Sequence, residues 1–261
     1  MDLFDSILLG IVQGLTEFLP VSSSGHLVMA QELLGTQPGG GIVFEVAVHV
    51  ATLFAIVLFY IKRVSALTVG VFTGDGDAWR YVLKLALATL PAVLVALTAR
   101  SFIEQQFASP VMAGCLLIVT GFIVWSTRYT ITRGTALEPT WQGALIIGCA
   151  QAFAILPGIT RSGTTVATAL ALGMAPLAAA EFSFLLGVIA MAGAAVLLLP
   201  EIAGATPDLL SSILAGGVAA FISGLAALVI FVWLLKSQRF SAFSWYAWLA
   251  GASFLTWLAV R

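Results

Sequence analysis

An all-helical integral membrane protein built as an inverted-topology repeat is the fold class this sequence predicts, each half being one re-entrant helical hairpin followed by three transmembrane helices. Three observations predict it. The 261 residues are 61% hydrophobic and 9% charged, with a mean hydropathy of +1.08, more apolar surface than a water-soluble fold hides. Apolar runs at 42–61, 110–125, 182–200 and 213–235 approach or exceed the roughly 20 residues a helix needs to cross a bilayer, and they lack the alternation of barrel strands. The chain also aligns with itself at an offset of 138, the distance from Gly10 to Gly148.

At that offset Gln13 falls on Gln151, Ser24 on Ser162, Gly25 on Gly163, Leu34-Gly35 on Leu172-Gly173, Pro38 on Pro176 and Phe44 on Phe182. The chain reads as a single membrane domain over 1–261, with repeat one about 1–137 and repeat two about 138–261. Each copy opens with an apolar helix that halts at Pro20 or Pro157, passes through a Ser/Thr/Gly turn, and restarts as a short helix ending at Gly35 or Gly173. Half-helices of about 10–17 residues are too short to cross, and their turns must be buried in protein or line a cavity.

Three spans are predicted after each hairpin: 42–61, 81–99 and 110–127, then 181–200, 211–235 and 243–260. Three is odd, so the second hairpin enters from the opposite face and the broken helices meet inside the membrane. Lys62, Arg63, Arg80, Lys84, Arg128, Arg133, Lys236 and Arg239 then share one side, with Arg100 and Arg261 on the other. The positive-inside rule makes the first side cytoplasmic, which turns both termini and the mouth of the first hairpin outward. The first ten residues carry Asp2 and Asp5 and no basic segment, so the first apolar stretch is expected to belong to the fold and not to a cleaved signal peptide. Cys115 and Cys149 lie in apolar segments without a CxxC partner and are expected to be buried packing residues. A net charge of −1 offers no footprint for nucleic acid.

Gln13 and Glu17, four residues apart, project from one helix face toward the first turn. A carboxylate at membrane depth marks a functional site, and Glu17 suits a general base or a metal ligand; solvation at the interface is the plainer alternative. His26 stands one turn into the next helix, where hydroxyl, imidazole and carboxylate are expected to converge, against a role in packing alone. Ser22, Ser23 and Ser24 open that helix, where free backbone amides favour an anion and where serines also serve as caps. Arg161, in the second turn, costs about 2.5–3.5 kcal/mol at mid-membrane and so needs a partner. Flanked by Thr160, Ser162 and Thr165, it suits a phosphate or diphosphate, with an ion pair to Glu17 as the alternative. Glu45 and His49, four apart, either line the same cavity or face protein. Glu181 fits a helix N-terminus, and Trp245, Tyr246, Trp248 and Trp257 read as interfacial anchors or core.

QGLTEFLPVSSSGH in the first copy and PGITRSGTT in the second, with FEVAVHVATLFAIV and EFSFLL, closely resemble the bacterial undecaprenyl-diphosphate phosphatase family of the bacitracin-resistance type, and the resemblance covers essentially the whole chain. It implies catalytic roles for Glu17, Ser23, His26 and Arg161 and substrate contacts from Gln13, Ser22, Thr160, Ser162 and Thr165; Ser24, in the same serine run, is expected to be a further substrate contact. Gln13 stands where many members have Glu, which leaves one carboxylate fewer for a metal, and Thr160 stands for the usual Ser. A divalent metal (Mg or Ca), held by Glu17 with Gln13, and a homodimer are also implied. So is location in the bacterial plasma membrane. The implied reaction is hydrolysis of undecaprenyl diphosphate to the monophosphate, which recycles the lipid carrier of cell-wall synthesis. Ser23 is the preferred nucleophile, with His26 or Glu17 as its base and direct water attack as the rival. Inverted repeats with broken helices also suit a secondary transporter or lipid flippase.

Overall fold

The computed structural model describes residues 2–34, 41–203 and 207–260. Helices account for nearly all of it: α1 (Leu3–Phe18), α2 (Ser23–Leu34), α3 (Gly41–Phe59), α4 (Ile61–Thr73), α5 (Gly76–Thr98), α6 (Arg100–Phe107), α7 (Pro110–Ser126), α8 (Trp141–Phe153), α9 (Arg161–Ala171), α10 (Pro176–Ala203), α11 (Pro207–Lys236) and α12 (Phe243–Val260). Among the described residues five helices are long and apolar enough to cross a membrane, or up to six if the bent pair α3–α4 counts as one span. The multi-pass helical architecture expected from the apolar runs is therefore present. Gly35, Pro38 and Arg261, landmarks of the repeat and of the charge count, lie outside the described residues.

Proline sets the first break. Pro20 disfavours helical backbone at the residue before it, and Leu19 accordingly leaves the helix at φ −62°, ψ 146°. Ser22 takes φ +68°, unusual for a residue with a side chain, and α2 starts at the next position. The second break runs through Pro157 and Gly158, where φ is +98° and glycine has no Cβ to clash. It ends at Thr160, whose Oγ1 caps α9 by accepting from Gly163 N at 3.2 Å.

Small residues bring the long helices together, the usual device where lipid removes the hydrophobic drive between helices. On α1, Gly10 lies on the Gly216 backbone of α11, Gly14 beside Ala220 and Ser223, and Phe18 over Gly224. On α8, Gly148 lies on the Ala88 backbone of α5. Helix α12 packs on α7 with Gly121 beneath Trp248 and Gly251 on the Gly114 carbonyl. An edge-to-face aromatic chain, Phe18–Phe184–Phe231–Phe240, fills the core between α1, α10 and α11.

Three expectations change. Helices α4 and α6 were not foreseen; α4 turns 80° away from α3, burying Leu67 and Gly70 against α5 while Phe72 is 87% exposed. Arg63, which follows the first predicted span, sits in α4 and pairs with Glu181 at 2.9 Å. Glu181 itself lies inside α10 and not at its start. Cys115 and Cys149 are exposed and unpaired, the reverse of the burial expected. An apolar setting in a membrane-spanning helix describes a lipid-facing side as well as a core, so local hydropathy does not separate the two.

Candidate active site

The two breaks meet. A methyl group on Gly25 would come within 3.0 Å of Gly158 Cα, and one on Gly163 within 3.1 Å of Pro20 Cβ, so each turn fits against a glycine of the other. Ser162 Oγ donates to the Phe18 carbonyl at 3.0 Å. From α7, Thr120 Oγ1 donates to the Gly158 carbonyl at 2.7 Å and accepts from Thr160 N at 2.9 Å. These contacts satisfy backbone groups that the breaks expose at a depth without water.

Glu17 is the hub. Its side chain is 4% exposed, and both oxygens are engaged. Oε1 accepts from Arg161 Nη2; Oε2 accepts from Gln13 Nε2 at 3.0 Å and from Ser23 Oγ at 2.7 Å. His49 Nε2 stands 3.6 Å from Oε2, and its Nδ1 lies 2.7 Å from the Glu45 carbonyl, a bond that puts the ring proton on Nδ1. The interfacial, solvated alternative for Glu17 is excluded by this burial. Arg161 forms the ion pair weighed above, yet its guanidinium also reaches a cavity, and Gly187 of α10 makes its room, since a methyl there would collide with Nη1.

That cavity has a volume of about 540 Å³ and is walled by Glu17, Ser23, Ser24, His49, Gln151, Thr160 and Arg161 at its polar end. Val93, Ala96, Leu97, Phe107 and Ile189 are among its apolar lining residues. A charged, hydrogen-bonded cluster in a mostly apolar cavity suits an amphiphile with an anionic head.

The remaining candidates are placed differently. Ser22 caps the first turn, its Oγ accepting from Gly25 N at 3.3 Å. Thr165 bonds the Arg161 carbonyl at 2.8 Å and the Ser183 hydroxyl, and with Ser162 it secures the second turn from behind. His26 does not converge on Glu17. Its Nδ1 lies 2.8 Å from the Ser22 carbonyl and its Nε2 2.8 Å from the Tyr246 hydroxyl of α12, because a residue four positions after Ser22 points back along the helix onto the left-handed turn. Tyr246 is thus more than an anchor. The imidazole beside Glu17 is that of His49, whose i, i+4 spacing with Glu45 left its direction open. Gln151 was missed as a site residue, although the offset that pairs it with Gln13 held the signal.

For a divalent cation the donor set is small. Among the described residues no cluster of three or more His, Cys, Asp or Glu is formed. Gln13 Oε1, however, is buried without a hydrogen-bond partner, and with a Glu17 carboxylate oxygen it supplies the hard oxygen donors that a divalent cation prefers.

The comparisons agree with this geometry. The model of the family described as "Bacitracin resistance protein BacA" matches residues 6–253. Proteins named "Undecaprenyl-diphosphatase" are similar over nearly their full lengths. That of Desulfatibacillum aliphaticivorans is 38% identical, with 98% of both chains covered. That of Christiangramia forsetii is 37% identical, with 96% of both covered. That of Acinetobacter baumannii is 33% identical over 97% of this chain and 95% of the relative. With its two breaks meeting at Glu17 and Arg161, this chain belongs to the BacA family.

Proposed function

We propose that this protein hydrolyses undecaprenyl diphosphate to undecaprenyl phosphate and inorganic phosphate, which returns the lipid carrier to cell-wall synthesis and underlies bacitracin resistance. One observation carries the reading: Ser23, Glu17 and Arg161 form one hydrogen-bonded chain in the wall of a cavity whose lining is otherwise mostly apolar.

Phosphoryl transfer asks mainly for positioning and charge stabilisation. Arg161 has five N–H donors, and Glu17 and Met191 engage only those on Nη2, so the rest of the guanidinium serves the diphosphate. The first turn of α9, which opens at Arg161, would add its free backbone amides to an anion bound there. Ser23 Oγ already donates to Glu17 Oε2, the arrangement a nucleophile needs with its base. Its oxygen attacks the terminal phosphorus while its proton passes to Glu17 and undecaprenyl phosphate leaves. Water then attacks the phosphoserine, releasing phosphate and restoring the serine. Gln13 and Glu17 would hold a divalent cation, which when bound supplies charge neutralisation at the phosphate oxygens. The prenyl chain lies along Leu97, Phe107 and Ile189.

The inverted topology belongs to the same reading. Helix α1 packs on α11 as α8 does on α5, and α3 packs on α11 as α10 does on α5, while α7 and α12 pair with each other. This exchange is what a two-fold relation between the halves produces. The cavity lies toward the C-terminal ends of α5 and α10, away from Arg63, Arg80 and Lys84, which supports a mouth on the external face. Cysteines placed near Ser65 and near Ser101 then label from opposite faces, and labelling from one face removes the arrangement.

The decisive assay is phosphate release from a prenyl diphosphate by the purified protein in detergent with Mg or Ca. Release that is absent in wild type, or unchanged in Glu17→Ala and Arg161→Ala, overturns the mechanism.

A further inference from the structure

Gln151 lines the cavity from α8, opposite the copy of the repeat that supplies Glu17. It is 2% exposed, and neither its Nε2 nor its Oε1 has a hydrogen-bond partner. Buried amides are nearly always paired, so one that is wholly unpartnered beside a cavity calls for a partner from within the cavity. Its counterpart in the other half explains how it came free. Gln13 donates to Glu17, four residues on along α1. Four residues after Gln151 the chain has Ile155, which offers no acceptor. Helix α8 is also held against α5, with Gly148 on the Ala88 backbone, and Gln151 is among the residues that line the cavity.

We infer that Gln151 is a head-group contact, its side-chain amide donating to a phosphate oxygen of the bound diphosphate. The inference rests on the reading of the cavity as the diphosphate site. It assigns the two related glutamines different tasks: Gln13 orients the carboxylate, and Gln151 binds the substrate.

Gln151→Met tests this, because methionine keeps the shape and removes the amide. A substrate contact predicts a KM raised about tenfold or more, kcat within about threefold of wild type, and a thermal midpoint in detergent that is unchanged or higher, since an unpaired amide has been replaced by an apolar group. Gln151→Asn, which retains an amide one methylene short, gives an intermediate KM. An unchanged KM in Gln151→Met overturns the inference. So does a lowered thermal midpoint or failure to fold, which assigns the amide to the structure. Should wild type release no phosphate, the hydrolase reading fails separately, and binding of inorganic pyrophosphate still decides: equal affinity in wild type and Gln151→Met overturns the contact.

Discussion

The first half delivers the carboxylate of Glu17 and the hydroxyl of Ser23 to the cavity, whereas the second, aligned with it residue for residue, delivers the guanidinium of Arg161 and the amide of Gln151. At the offset of the repeat Ser23 lies on Arg161 and Glu17 on Ile155. The backbone device is shared: a helix broken at proline, a short irregular turn, a capped restart. On the proposed mechanism the chemistry is divided, with nucleophile and base from one half and charge stabilisation from the other. Two related turns would then build an asymmetric site, in which each half holds what the other lacks.

The most severe way to break that division is to remove one side of the buried pair. Glu17→Ala and Arg161→Ala each leave an uncompensated charge, and each is expected to lower kcat/KM at least about 10³-fold and to cost about 3–5 kcal/mol of stability, read by phosphate release and thermal unfolding in detergent. Ser23→Ala tests the division from the nucleophile side. It is expected to lower kcat by about 10²–10³-fold with the fold intact, and rapid quench of wild type traps a phosphoserine; full activity of the variant assigns attack to water.

Positioning comes next. Gly187→Ala pushes the guanidinium off its seat, and a displacement near 1 Å lowers kcat/KM by about 10²-fold while Glu17 and Ser23 stay in place. Thr120→Val strips the second turn of the hydroxyl that bridges Gly158 and Thr160, costing about 1–3 kcal/mol in unfolding experiments and less in activity. The mildest change is Tyr246→Phe, which leaves His26 Nε2 without its hydroxyl partner; activity falls only about threefold, in keeping with a single hydrogen bond outside the cavity.

The features legible in the sequence were those fixed by local stereochemistry. Pro20 and Pro157 located both breaks, and Gln13 with Glu17 a shared helix face. Side-chain direction across the turn was not legible. Ser22 adopts a positive φ that no residue preference announces, and that single torsion sends His26 toward α12 and leaves the carboxylate to His49. Helix α4 escaped notice because its amphipathic pattern begins without proline or glycine at Tyr60, where the chain bends toward the ion pair of Arg63 with Glu181. Lipid-facing and buried positions both ask for apolar residues, which is why Cys115 and Cys149 were misplaced.

The ion pair between Glu17 and Arg161 joins residues 144 positions apart. At roughly 5–20 residues per second the ribosome delivers the arginine on the order of ten seconds after the glutamate. Throughout that interval the nascent first half holds a carboxylate whose guanidinium partner has not yet been made, with Gln13, Ser23 and His49 of its own half beside it. A chain truncated before α8 therefore lacks the charge that compensates Glu17, and it is expected to be degraded faster than the full chain in a pulse-chase experiment.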